Sequence, residues 1–469
     1  MWDLSKFSDR FIAVDEFGVK LSYRQMDEEN RRFEQVLGGR SLVFILCSNT
    51  IGSLAGYVGC LNGGSIALLL AQNLNSGLLE SLIELYQPDY LWVPKNVRDL
   101  FSAFAVKYEG FGYLLLETGY KNVYPLHNDL CLLLTTSGST GSPKFVRQSY
   151  GNILSNAASI VQYLELDETE RPISTLPMNY TYGLSIINSH LLVGATLLFT
   201  NKGILQKEFW NFFKEQEATS FGGVPYTYEM LDRLHFFQMD LPSLRYFTQA
   251  GGKLTPELHK KFAEGAQKKG TKFIVMYGQC EATARMGYLP AEKALAKYGS
   301  MGIAIPGGRF HLVDAEGKNV SQPHVTGELV YEGPNVTMGY AECGEDLMKG
   351  DERRKILQTG DMAQFDEDGY YYIVGRKKRF LKLYGNRVNL DEIDRLLKAE
   401  FHNMDCASTG VDDHLYIFVT DQEVAEDVKT FLATKTGINA AAYKTIVIDE
   451  IPKNDAGKTL YKELTKYYL

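Results

Sequence analysis

Short apolar runs alternate with stretches of helical periodicity through most of the first 300 residues, and that alternation restricts the fold more than any other feature. The runs 41–46, 65–70, 90–93, 130–134 and 195–200 are apolar on both faces and too short for helices. Each is therefore expected as a buried strand. Between two of them, SYGNILSNAASIVQYLEL sets Ile153, Leu154, Ala157, Ile160, Val161 and Leu164 at helical spacing. Strands separated by helices imply parallel sheets covered by helices, an α/β class. After about residue 300 the texture changes. GELVYEGPNVTMGY and FDEDGYYYIVGR read as antiparallel hairpin material, with Asp368-Gly369 as a turn signal, and suggest a small β-barrel-like subdomain. A basic cluster, Arg376 to Arg379, then precedes a strand-turn-strand and two helical stretches. At 469 residues the chain exceeds what one core usually supports. The expected division is a large N-terminal domain, 1–376, and a small α+β domain, 377–469.

Charge narrows the partners. A formal net charge of -8 argues against a chain that coats nucleic acid or an anionic membrane, so neither is expected as a partner. The longest apolar stretches, 65–71 and 191–199, are too short to span a bilayer. The opening residues MWDLSKFSDRF lack the basic and apolar regions of a secretory signal. Six scattered cysteines with no C-x-x-C pair suggest reduced thiols and no structural zinc. A cytoplasmic setting is expected.

The run TTSGSTGSPKF, 135–145, follows an apolar strand and is expected to lead into a helix. Gly138 and Gly141 allow close backbone approach to a ligand and positive φ. Consecutive amides, the hydroxyls of Ser137, Ser139 and Thr140, and the mobile charge of Lys144 would together cradle a polyphosphate. No G-x-x-x-x-G-K-[ST] can be written through the run, nor through Gly457-Lys458-Thr459, so neither is a Walker A loop.

Five further blocks follow in order: PMNYTYG at 177–183, YGQCEA at 277–282, GELVYEGPNVTMGY at 327–340, TGDMAQFDEDGYYYIVGR at 359–376 and PKNDAGKTLYKEL at 452–464. With the glycine-rich run they resemble the signature set of the acyl-adenylate-forming superfamily, which includes acyl-CoA synthetases, nonribosomal-peptide adenylation domains and beetle luciferases. The resemblance implies an ATP-dependent enzyme in which a carboxylate attacks the α-phosphorus of ATP, giving an acyl-adenylate and pyrophosphate. A thiol, of CoA or of a carrier-protein phosphopantetheine, then displaces AMP. The first half needs charge neutralisation and in-line positioning more than an acid or base.

The resemblance also implies roles. Thr136, Ser137, Gly138, Ser139, Thr140, Gly141 and Lys144 would hold the phosphates, with Thr140 and Lys144 acting in catalysis. Phe145 stands where the family usually has glycine, which implies a stiffer exit from the loop. Tyr277 would stack on adenine beside Gly278, and Gly251 and Gly252 would lie along its edge. Glu281 would ligate Mg2+, a hard ion suited to a carboxylate oxygen. Cys280 replaces the usual threonine, exchanging a hydroxyl for a weaker donor toward the α-phosphate. Asp361 would accept both ribose hydroxyls, with Arg376 as a second ribose contact. Lys458 would be the catalytic lysine, offsetting charge in the transition state. Lys378 matches the hinge about which the small domain swings, and Gly385 would line the thiol tunnel. Lys377 and Arg379 read as solvated basic neighbours of that hinge.

For the acyl pocket, Asn179, Tyr180, Tyr182, Val224, Tyr226 and Gly278 form the expected lining. Thr181 stands where amino-acid-activating domains keep an aspartate, and an ammonium buried without a counter-ion is costly. An aryl or medium-length acyl carboxylate therefore fits better than an amino acid. Two other readings stay open: an amino-acid-activating enzyme, and an adenylate-binding regulator without catalysis.

Overall fold

The structure, a computed structural model, describes residues 1–121, 123–135, 144–383, 386–402, 404–411, 413–436, 438–454 and 459–468. The chain divides into two compact units, Met1–Arg309 with Tyr331–Leu357 and Phe310–Val330 with Gln358–Leu469. The boundary expected at 376/377 falls inside the second unit, between a strand and a one-turn helix. Among the described residues no helix is long and apolar enough to cross a membrane.

The apolar runs of the first unit are strands, and most enter one eight-stranded sheet. Its centre is parallel, in the order Leu130–Thr135, Ile66–Ala71, Leu42–Cys47, Tyr90–Pro94. Alternation within each run decides which core a side chain joins. Val43, Ile45, Ala67 and Leu69 pack on one face with residues of the helices Tyr23–Leu37 and Ile51–Asn62. Leu42, Phe44, Leu46, Leu68 and Leu70 pack on the other with the helix Ser76–Tyr86. Two buried faces explain why these strands read as unbroken apolar runs.

Two local expectations are corrected. Residues 135–145 do not lead directly into a helix. A second strand, Phe145–Ser149, returns antiparallel to Leu130–Thr135, and the helix begins at Tyr150 under a Ser149–Asn152 capping box. Arg147 and Gln148 disguise this strand, because both are buried despite their polarity. Nor is GELVYEGPNVTMGY a hairpin. Gly327–Glu332 joins a five-stranded sheet, while Gly339–Ala341 pairs with Phe145–Ser149 at the edge of the eight-stranded one.

A second sheet of this unit runs Ser220–Gly223, Tyr246–Gln249, Lys272–Tyr277, Gly287–Leu289, Ile303–Ala304. Its first three strands are parallel and in register, so their C-terminal ends lie side by side. Such ends are where open α/β sheets take ligands.

The strand Ile356–Phe365, which enters the second unit at Gln358, forms the expected hairpin with Tyr371–Arg376, with Gly369 at φ 79 in its turn. A three-stranded sheet, Cys406–Val411, His414–Val419 and Tyr443–Val447, packs with the helices Leu390–Glu400 and Ala425–Thr436. Arg379 corrects the reading of a solvated cluster. It is 9% exposed, pairs with Asp391 at 2.6 Å and Asp394 at 2.7 Å, and donates to the Ser408 carbonyl. Its guanidinium lies 3.7 Å from the centre of the Tyr461 ring. Removing one partner of a buried ion pair leaves the other uncompensated. Arg379→Met is expected to destabilise this unit by about 3–5 kcal/mol. Chemical denaturation of the full chain measures it, and a loss below about 1 kcal/mol would mean that the pair is not sealed from water.

Candidate active site

The three parallel strand ends present Val224, the Gln249–Gly252 turn and Tyr277 along one edge. Gly251 has φ +85, and a Cβ there would stand 2.8 Å from the Tyr180 hydroxyl and 3.1 Å from Val224. Glycine at this position thus lets Tyr180 and Val224 close over the turn. Tyr180 precedes the helix Thr181–Val193, and its ring lies 6.3 Å from that of Tyr182, edge-on. The Tyr182 hydroxyl shares a hydrogen bond with Thr248 at 2.7 Å. Burial, chiefly, pushes the Tyr182 phenol up to about 12 and raises that of Tyr180, so both stay neutral donors near pH 7. Of the expected lining, Tyr226 is turned away, 55% exposed on the helix Pro225–Arg233.

After Tyr277 the chain makes an irregular loop and returns as Gly287–Leu289. A Cβ on Gly278 would stand 1.6 Å from the Ala284 carbonyl oxygen, so only glycine fits under this loop. Thr283 and Ala284 take φ of 54 and 97, conformations that cost free energy in non-glycine residues. Asn335 holds them there, donating to the carbonyls of Ala282 and Arg285, while Thr283 donates to the Asn335 carbonyl. Inside the loop Cys280 is buried, and Gln279 donates to the Tyr277 hydroxyl at 3.3 Å.

Glu281 is half-buried and oriented from the strand Gly339–Ala341. The Tyr340 hydroxyl donates to its Oε1 at 2.7 Å, and Thr337 donates to its backbone carbonyl. Arg353 covers the same Tyr340 ring, 4.7 Å from its centre. Among the described residues no three His, Cys, Asp or Glu side chains are grouped to hold a metal. A single oriented carboxylate fits Mg2+, which usually takes one or two carboxylates and completes its shell with water and phosphate oxygens.

Lys144 pairs with Glu342 at 2.5 Å and sits 5.6 Å from the Tyr340 ring centre. Both members are about half exposed, so the pair is readily exchanged for another anion. Phe145 beside it is buried against Tyr86, rings edge-on at 5.3 Å, and anchors the strand that begins there. Thr136, Ser137, Gly138, Ser139, Thr140 and Gly141 lie outside the described residues, as do Gly385 and Lys458.

In the second unit Asp361 and Arg376 are register partners on adjacent strands. The Arg376 Nε lies 3.3 Å from Asp361 Oδ1, with the carboxylate buried and the guanidinium exposed. Lys378 lies in the 3₁₀ turn Lys377–Arg379; its side chain is outside the described set.

Reasoning from the sequence missed Tyr340 and Asn335, although both stand in the block 327–340. Their roles depend on contacts with residues about 50 positions earlier, which no local pattern carries.

A model of the AMP-binding enzyme family matches residues 2–341. The chain is 27% identical over 356 residues to the oxalate–CoA ligase of Arabidopsis thaliana, covering 73% of this chain and 68% of that protein. It is 27% identical over 359 residues to the 2-succinylbenzoate–CoA ligase of Bacillus pumilus, covering 73% and 71%. Among solved structures it superposes on the O-succinylbenzoate coenzyme A synthetase of Bacillus subtilis in complex with AMP with a TM-score of 0.79, at 21% identity over 98% of this chain and 97% of that one. ATP-bound MatB of Rhodopseudomonas palustris gives 0.78, at 21% identity over 99% and 98%.

The tight fit at position 278 is directly testable. Gly278→Ala has no side chain to displace, only backbone, and is expected to lose about 3 kcal/mol of stability. Gly203→Ala, at a site with nothing within 4 Å, is the control and should be near neutral. Calorimetric melting of the two variants decides the point, and equal melting would show that the loop adapts.

Proposed function

The chain belongs to the AMP-binding enzyme family, and we propose that it activates a small carboxylic acid with ATP and passes the acyl group to the thiol of coenzyme A. The observation that carries this reading is the meeting of Tyr180, Val224, Gly251 and Tyr277 at three parallel strand ends, next to a loop that presents Glu281. Curated relatives that the chain matches over most of its length are CoA ligases, which supports CoA as the acceptor. Thr181, in place of an acidic residue, disfavours an α-amino acid.

In this reading Tyr277 and the Gly251–Gly252 turn hold the adenine, while Asp361 and Arg376 take the ribose. Residues 136–141 and Lys144 grip the triphosphate, Lys144 exchanging Glu342 for a phosphate oxygen. Magnesium, when bound, neutralises phosphate charge; Glu281 would hold it, with Tyr340 fixing one carboxylate oxygen so that the other is free to ligate. A substrate carboxylate oxygen attacks the α-phosphorus as pyrophosphate leaves, and Lys458 offsets the charge that builds there. The CoA sulfur then attacks the acyl carbon and AMP departs. Lys378 serves as the pivot between the two half-reactions and Gly385 borders the thiol's path. The enzyme works in the cytoplasm, on small molecules and without a nucleic-acid or membrane partner.

Pyrophosphate release over a panel of aryl, medium-chain and amino acids tests the reading, repeated with CoA and with a holo-carrier protein. Turnover of an aryl or acyl acid and a CoA thioester are expected; transfer to the carrier alone would reassign the acceptor, and silence across the panel would favour a regulator. Lys458→Ala should lower adenylation by about 100-fold or more while ATP still binds. Tyr340→Phe should weaken magnesium-dependent ATP binding about 10-fold, measured by titration calorimetry at varied magnesium. Unaltered magnesium dependence would remove Tyr340 from the metal's support.

A further inference from the structure

Among the described residues three arginines are buried, Arg147, Arg285 and Arg379. Two have carboxylate partners: Arg147 pairs with Glu352, and Arg379 with Asp391 and Asp394. Arg285 is 3% exposed, yet among the described residues no carboxylate lies within ion-pair distance of it. Its Nε donates to Ser185 Oγ at 3.0 Å and its Nη1 to the Tyr163 hydroxyl at 3.0 Å, with the Met276 sulfur at 3.2 Å. The hydrogen bonds it makes to described residues run through Nε and Nη1.

Among the described residues around it, none supplies the missing charge. Burial, chiefly, raises the phenols of Tyr163, Tyr182 and Tyr246, so none ionises near pH 7. His190 is held near 4 by burial and stays neutral. Glu170, which lies near Tyr246, is already engaged by Arg245 at 2.9 Å and by Thr219. A guanidinium buried without a counter-ion costs several kcal/mol, so a partner that arrives with the substrate would relieve a standing penalty. The position suits that role. The guanidinium lies 5.4 Å from the centre of the Tyr182 ring, and that ring also neighbours Tyr180 at the strand-end edge.

We propose that the acid activated here carries a second anionic group, a distal carboxylate on a short aryl or acyl skeleton, and that Arg285 pairs with it at the inner end of the acyl pocket. This rests on the adenylation reading above. The attacking carboxylate stays at the Tyr180 and Val224 end while the distal one takes the Nη2 hydrogens. Arg285 is thereby a specificity-determining residue, and its charge selects against acids with an apolar tail.

The test measures pyrophosphate release with linear and aryl dicarboxylates of rising length, each beside its methyl-terminated monoacid of equal size. At least one dicarboxylate is expected to exceed its monoacid partner by ~100-fold in kcat/KM, the scale of a desolvated charged hydrogen bond. In Arg285→Met that ratio should collapse to within ~3-fold, and Arg285→Lys should keep an intermediate ratio. Monoacids turned over as well as every matched dicarboxylate would overturn the inference and leave adenylation standing. A ratio unchanged in Arg285→Met would overturn it too, reducing the arginine to scaffold. Should that variant fail to fold, the wild-type ratio decides alone. No release with any acid would sink the adenylation reading, and this inference with it.

Discussion

The guanidinium of Arg147 fastens the 338–352 segment to the strand that follows the glycine-rich run. It is fully buried and donates to the carbonyls of Met338, Tyr340 and Gly350, and to the Glu352 carboxylate at 2.5 Å. Lys349 contributes a further carbonyl. Four backbone acceptors and a carboxylate around one cation satisfy it almost completely, which is the condition for burying a charge at all. The consequence is positional. With the Tyr340 carbonyl tied to Arg147, the phenol end of that residue reaches Glu281 and its ring lies beside Lys144. The expected phosphate-binding lysine and the expected metal carboxylate are thereby referred to one anchored strand.

The layered α/β architecture was legible because burial on both faces leaves a plain mark: the runs at 41–46, 65–70 and 130–134 contain almost nothing that could face water. The strand Phe145–Ser149 was not legible, for the opposite reason. Arg147 and Gln148 are polar and buried, so composition misreports their environment. Arg379 misled in the same way, reading as one member of a basic surface cluster while burying its charge against Asp391 and Asp394. In each case a long-range partner reverses the hydropathy signal, and hydropathy alone does not contain the partner.

The site divides along the same line. Tyr277, Gly278 and Glu281 stand in a contiguous block, so a local motif exposed them. The residues that hold that block in shape are remote. Asn335 supports Thr283 and Ala284 in left-handed backbone from more than fifty positions away, and Tyr340 orients Glu281 across a similar gap. A glycine forced by a carbonyl 1.6 Å from where its Cβ would stand, as at Gly278, has a purely three-dimensional cause. Arg285 lies just beyond the motif and is silent in sequence, because an arginine near a glutamate reads as a surface pair until its burial is seen.

The cluster around Arg379 has a mechanical reading. One guanidinium joins the turn Lys377–Arg379 to the helix Leu390–Glu400 through Asp391 and Asp394, and the Tyr461 ring packs on its face while the Tyr461 hydroxyl donates to Asp394 at 3.1 Å. The turn and the tail are therefore geared together rather than strung along a flexible cord. A torsion applied at the turn would be delivered to the tail as displacement, with little slack lost in between.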